Sequence, residues 1–101
     1  MNNLLKKISK NKEKIGICGL GYVGLPLAIN FTKKNIQVFG FDVDNSKIKL
    51  IKKNKSYLSH ITSKEIKQAK KKGFYATNDF SFVKDIDVII ICVPTPLKKN
   101  K

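Results

Sequence analysis

The chain has 101 residues, with 21 basic against 7 acidic side chains and a formal net charge of +14. That length holds one domain with a modest core; no segment approaches a membrane span, and residues 1–14 have no long apolar stretch to serve as a signal peptide, so a cytoplasmic location is expected and no membrane partner. Every basic residue is a lysine, scattered along the chain, whereas base readout and bidentate phosphate clamping lean on arginine, so a specific nucleic-acid partner is not expected and a lysine-favouring coding bias accounts for the charge.

Residues 1–13 form a basic leader in which Leu4, Leu5 and Ile8 can share one helix face, as a short amphipathic helix or a frayed tail. Lys14 to Cys18 reads as a short buried strand. Gly19, Gly21 and Gly24 then fit G-x-G-x-x-G, whose content is a tight strand-to-helix turn, a bare backbone open to a pyrophosphate, and a close helix-sheet contact. From Tyr22 to Lys34, Leu25, Ala28, Ile29 and Thr32 recur on one helix face, and Pro26 falls in the first turn, where a missing N–H costs least. A second strand, Ile36 to Phe41, ends at Asp42, 21 residues after Gly21. A carboxylate there accepts hydrogen bonds from the adenosine ribose and repels the extra phosphate of NADP, which favours NAD.

Asp44 or Asn45 is placed to cap the next helix, Asn45 to Lys53, which turns Ile48 and Ile51 inward. Asn54 to Ile61 reads as a loop carrying Tyr57 and the only histidine, His60, to which no catalytic role is assigned. Thr62-Ser63-Lys64-Glu65 has capping-box form, with Ile61 and Ile66 at the staple positions, and predicts a helix from Ser63 to Lys72 that stops at Gly73. Phe74 to Ala76 makes a third strand, and Thr77-Asn78-Asp79 opens a short helix with Phe80 and Val83 facing inward. Asp87 to Val93 is the strongest strand, ending at Pro94-Thr95-Pro96. Cys18 and Cys92 fall inside buried strands as small apolar residues, with no disulfide, no catalysis and no metal site assigned. Strands alternating with helices predict an α/β fold over residues 14–101: a partial, doubly wound, Rossmann-type parallel sheet with helices on both faces, order 3-2-1-4, which brings Thr95 near the cofactor.

Gly19-Leu20-Gly21-Tyr22-Val23-Gly24-Leu25-Pro26-Leu27-Ala28, Phe41-Asp42-Val43-Asp44, Ser56-Tyr57-Leu58-Ser59-His60-Ile61 and Cys92-Val93-Pro94-Thr95-Pro96-Leu97 together resemble the N-terminal domain of the UDP-glucose/GDP-mannose dehydrogenase family. The leader and the Ser-Tyr-x-x-His-Ile segment look most like its UDP-N-acetylglucosamine 6-dehydrogenase branch. The resemblance covers nearly the whole chain and a front fraction of such an enzyme. It implies NAD as cofactor, with Gly19, Gly21, Tyr22, Val23 and Gly24 around the pyrophosphate, Asp42 on the ribose, Lys47 at the adenosine end and Thr95 toward the nicotinamide. It also implies two-step oxidation of a nucleotide-sugar C6 alcohol to a carboxylate, with the catalytic cysteine, lysine and asparagine in downstream segments that this sequence does not contain. The chain alone is therefore expected to be inactive and to bind NAD weakly. A sheet stopping at its fourth strand leaves the apolar edge Asp87 to Val93 open, which points to a fragment or to a companion chain or homo-oligomer. Two other readings stay open: a lysine-rich module that binds nucleic acid or anionic surfaces nonspecifically, and an inactive remnant.

Overall fold

The computed structural model describes residues 13–92; most of the basic leader, and the segment that carries Pro94, Thr95 and Pro96, lie outside the described residues. Four short strands, β1 (Lys14–Cys18), β2 (Gln37–Phe41), β3 (Phe74–Thr77) and β4 (Val88–Ile91), form one sheet in the order β3-β2-β1-β4. All three pairings are parallel, with Gly16 opposite both Phe39 and Ile89. Parallel strands need crossovers, and these are supplied by α1 (Gly24–Lys33), α2 (Asn45–Lys52), α3 (Ser63–Lys71) and a 3-10 helix over Phe80–Asp85.

Strand alternation splits the sheet into two unequal faces. Ile15, Ile17, Val38, Phe74 and Ala76 point to one side and share a single buried cluster with Leu25, Ala28 and Ile29 of α1, Ile48 and Ile51 of α2, and Ile66 and Ala69 of α3. The apolar stripes predicted for α1 and α2 are the ones buried, Thr32 included. The opposite side carries Gly16, Cys18, Phe39, Phe41, Tyr75, Ile89 and Ile91, and the 3-10 helix lies across it. Phe80 stacks on Phe41 with ring centroids 5.4 Å apart, Phe82 packs on Phe39 and Tyr75, and Ile86 sits over Gly16. This corrects the expectation for Phe80 and Val83: no residue of the 3-10 helix is fully buried, because its side chains lie over a half-open sheet face. Ile91 on that face is 69% exposed. Cys18 and Cys92 are likewise half-buried free thiols, rather than fully buried ones.

The helix ends follow local chemistry. Asp44 caps α2 by accepting from the Ser46 N–H at 3.0 Å, and Thr62 with Glu65 forms the reciprocal capping box of α3. Ile61 and Ile66 are both buried in the core cluster, as the staple positions require. Each α-helix is followed by a left-handed residue: Gly73, as expected, but also Asn35 and Asn54, the residue type other than glycine that best tolerates that conformation. No helix among the described residues is long and apolar enough to cross a membrane.

Candidate functional site

The C-terminal ends of β1 and β2 lie side by side, and the chain leaves β1 through the glycine turn. Gly19 adopts φ +102°, and its N–H donates to the Phe41 carbonyl at 2.7 Å, tying the turn to the end of β2. A Cβ on Gly19 would stand 2.1 Å from the Cys92 carbonyl oxygen, and one on Gly24 would stand 1.7 Å from the Gly19 carbonyl oxygen. Gly19 and Gly24 are thus consumed by packing of backbone on backbone. Gly21 differs. A Cβ there meets nothing closer than the Lys47 Nζ at 4.0 Å, so its bare backbone faces open space. That space is a cleft of about 320 Å³ lined by Gly21, Tyr22, Asp44, Lys47 and Tyr57 among others.

Leu20, between the first two glycines, anchors the turn. Its side chain is fully buried against Gly40, where any Cβ would come within 3.0 Å of both Leu20 methyl carbons. Its N–H donates to Asp42 Oδ2 at 2.8 Å, and its carbonyl accepts from the Tyr57 hydroxyl. Asp42 is itself nearly buried, at 9% exposure, and its other oxygen accepts the Asp44 N–H at 2.8 Å. A carboxylate offers about four acceptor positions, so two protein N–H donors leave capacity for ligand hydroxyls. Lys47 reaches the same carboxylate at 3.8 Å and lies 5.8 Å from the centre of the Tyr57 ring.

The N-terminus of α1, three residues beyond Gly21, has no side-chain cap and no acidic residue in its first turn, and its Leu25 N–H donates to the Gly21 carbonyl at 3.1 Å. Pro26, third in the helix, brings no N–H. The other two described α-helices are capped by Asp44 and Thr62, so among them α1 alone starts without a side-chain cap. Tyr22, which lines the cleft, and Val23 are exposed, and the Tyr22 ring lies parallel to that of His60 with centroids 6.2 Å apart.

Of the residues singled out in the sequence, Gly21, Tyr22 and Lys47 line the cleft; Asp42 is joined to it through the Leu20 N–H and Lys47, Gly19 and Gly24 are packed against backbone, Val23 is exposed, and Thr95 lies outside the described residues. Tyr57, which the sequence puts on the loop from Asn54 to Ile61 with no role assigned from the residues, lines the cleft and holds the turn. Burial, followed by the charges of Asp42 and Asp44, pushes its hydroxyl well above the ordinary tyrosine range, which keeps it a donor. Burial and then the neighbouring Cys92 also raise the Cys18 thiol, which makes it a poor nucleophile.

Residues 13–101 match the model of the UDP-glucose/GDP-mannose dehydrogenase family, NAD binding domain. The UDP-N-acetyl-D-glucosamine 6-dehydrogenase of Salmonella typhi is 41% identical over 91 residues, covering 90% of this chain and 21% of its own length. Protein CapL of Staphylococcus aureus is 40% identical over 88 residues, covering 87% of this chain and 20% of its own. Among solved structures, a ternary complex of GDP-mannose dehydrogenase from Pseudomonas aeruginosa superposes with a TM-score of 0.75 at 39% identity, covering 85% of this chain and 20% of that one. The chain spans about a fifth of the length of the relatives it matches. A parallel 3-2-1-4 sheet, a glycine turn clamped by Asp42 and a family model matched over nearly the whole chain lead to one assignment: the chain belongs to the UDP-glucose/GDP-mannose dehydrogenase family, as its NAD-binding domain.

Proposed function

We propose that this chain binds NAD with its pyrophosphate over Gly21, its adenosine ribose on Asp42 and its adenine side toward Lys47. The observation that carries the reading is the pairing of an open backbone at Gly21 with a nearly buried carboxylate already oriented by two N–H donors. The bare Gly21 and the uncapped start of α1 admit and attract the diphosphate. Asp42 accepts the ribose hydroxyls. A phosphate on the ribose, as in NADP, would bring a second anion to Asp42, and the half-exposed Lys47 offsets only part of that repulsion.

The wider reaction is the oxidation of the C6 alcohol of a nucleotide-sugar, a UDP-sugar by preference, to the uronate. The 41% identity to the Salmonella typhi UDP-N-acetyl-D-glucosamine 6-dehydrogenase supports the UDP-sugar preference. NAD bound in the cleft supplies a hydride acceptor. This chain supplies binding and orientation and no catalytic group, and the raised Cys18 thiol fits that division. Its action as an enzyme then requires the rest of the family's architecture, in a companion chain or a longer polypeptide.

Titration of NAD and NADP into the purified chain, with folding followed by circular dichroism and binding by calorimetry, tests the cofactor site. The expected result is a folded chain that binds NAD at least tenfold more tightly than NADP. A folded chain that binds neither, or both alike, refutes the assignment to Gly21 and Asp42.

A further inference from the structure

The Leu20–Gly21 peptide leads into Gly21, which lines the cleft. A peptide plane followed by glycine flips at little cost, because glycine accepts the changed φ that any other residue resists. In a planar trans peptide the C=O and N–H point in opposite directions, so the direction of the Leu20 carbonyl sets the direction in which the Gly21 N–H is presented. The preceding peptide is held by the Leu20 N–H on Asp42, and the side chain by burial. The Leu20 carbonyl is held by Tyr57, which lies 37 residues away.

Tyr57 can do this because its loop is itself fixed. Lys70 of α3 donates to the Ile51 and Lys52 carbonyls at 3.1 and 3.0 Å and to Asn54 Oδ1 at 2.9 Å, which secures the loop where it leaves α2. The Ser56 hydroxyl bonds both polar groups of the Leu58 backbone, Leu58 and Ile61 are buried in the core, and the Thr62 capping box closes the far end. The Tyr57 ring lies beneath Lys47, which in turn reaches Asp42, so loop, turn, carboxylate and lysine form a closed circuit.

We propose that Tyr57 is a positioning residue for the dinucleotide: its hydroxyl locks the Leu20–Gly21 peptide in the orientation that receives the diphosphate. This rests on the reading of the cleft as the NAD site. The Tyr57 hydroxyl donates to the Leu20 carbonyl. It sets the affinity for the phosphates through the backbone.

The test compares the chain with its Tyr57→Phe variant, which keeps the ring and loses the donor. NAD, ADP and adenosine are titrated into each, followed by the amide resonances of an 11.4 kDa protein, with thermal melts alongside. One hydrogen bond of ordinary net strength corresponds to roughly 3- to 10-fold in an equilibrium. Tyr57→Phe is expected to weaken NAD and ADP by that factor, to leave adenosine unchanged and to move the Gly21 amide resonance in the free protein. Unchanged NAD and ADP affinity in the variant overturns the proposal while leaving the cofactor site intact. An equal loss of all three ligands with a lowered melting midpoint also overturns it, because that marks a merely structural role. Absence of NAD binding by the unaltered chain refutes the cofactor reading, and the proposal falls with it.

Discussion

The three glycines of the turn separate into two kinds, and substitution by alanine distinguishes them. At Gly24 the added Cβ would lie 1.7 Å from the Gly19 carbonyl oxygen, 2.8 Å from its carbon and 3.3 Å from Ile17 Cγ2. An ordinary contact begins near 3.4 Å, so the start of α1 would have to withdraw by more than an ångström against backbone atoms that have nowhere to move. Overpacking of this kind costs about 1–3 kcal/mol where side chains can yield, and more where they cannot. With each kcal/mol worth roughly 4–8 °C in a domain of this size, Gly24→Ala should lower the melting midpoint by about 12–24 °C or prevent folding. At Gly21 the Cβ meets only the flexible Lys47 ammonium at 4.0 Å, and the backbone is not in the left-handed region. Gly21→Ala should therefore stay within about 0.5 kcal/mol of the parent, a shift of no more than ~4 °C. Its methyl nevertheless occupies the floor of the cleft, and NAD affinity should fall by at least tenfold. Circular-dichroism melts and calorimetric titration read the two quantities separately. A Gly21→Ala protein that binds NAD like the parent, or a Gly24→Ala protein that melts like it, would refute the division of roles.

The carboxylates of Asp44 and Asp79 are held below their ordinary range by hydrogen bonds from the Ser46 and Ser81 side chains and backbones, and that of Glu65 by the Thr62 backbone N–H. Groups lowered in the fold contribute stability above their unfolded values, roughly pH 4, and lose it as pH falls through the lowered ones. The melting midpoint should thus drop between pH 4 and pH 2 at fixed high salt, and drop less in Glu65→Gln, whose amide keeps the capping geometry without titrating; a flat profile over that range contradicts the capping account. Replacing Lys70 by methionine removes three hydrogen bonds at the end of α2 and should cost about 1–2 kcal/mol, or roughly 4–16 °C, whereas the exposed Lys71→Ala should stay within about 0.5 kcal/mol. Equal effects at the two lysines would refute the anchoring role. The cleft is lined by Gly21, Tyr22 and residues between 44 and 58, and on the proposed reading these take the adenosine diphosphate portion, so ADP-ribose should bind this chain within about threefold of NAD; a tenfold advantage for NAD in competition titrations would show that the nicotinamide is held as well.

What was legible in the sequence is what local chemistry or strict periodicity dictates. The capping box at Thr62 and Glu65 spans three residues, the buried stripes of α1 and α2 repeat with the helical period, and the strand order follows from parallel strands joined by crossovers. The circuit around Leu20 was not legible, because the Tyr57 hydroxyl reaches it across 37 residues and no spacing rule relates a loop tyrosine to a distant carbonyl. Lys70 was equally hidden among the lysines, since its value comes from α3 passing the end of α2. The 3-10 helix misled in another way. Its three-residue turn and its place on the half-open sheet face leave Phe80 42% exposed, although an apolar pattern alone reads as burial.

The two faces of the sheet bear on the site differently. Three helices close one face, and from that side the turn is held by Leu20, Asp42 and Tyr57. On its other flank the turn rests on the end of β4: the Cys92 N–H donates to the Cys18 carbonyl at 2.8 Å, and the Cys92 carbonyl lies so near Gly19 that no side chain fits there. Among the described residues β4 is an edge strand, with Ile89 and Ile91 exposed on the less covered face. Edge strands with few buried contacts open at lower free energy than central ones. Gly19 is therefore held between the two, its N–H on the Phe41 carbonyl of the central strand β2 and its Cα against the Cys92 carbonyl at the end of the edge strand β4.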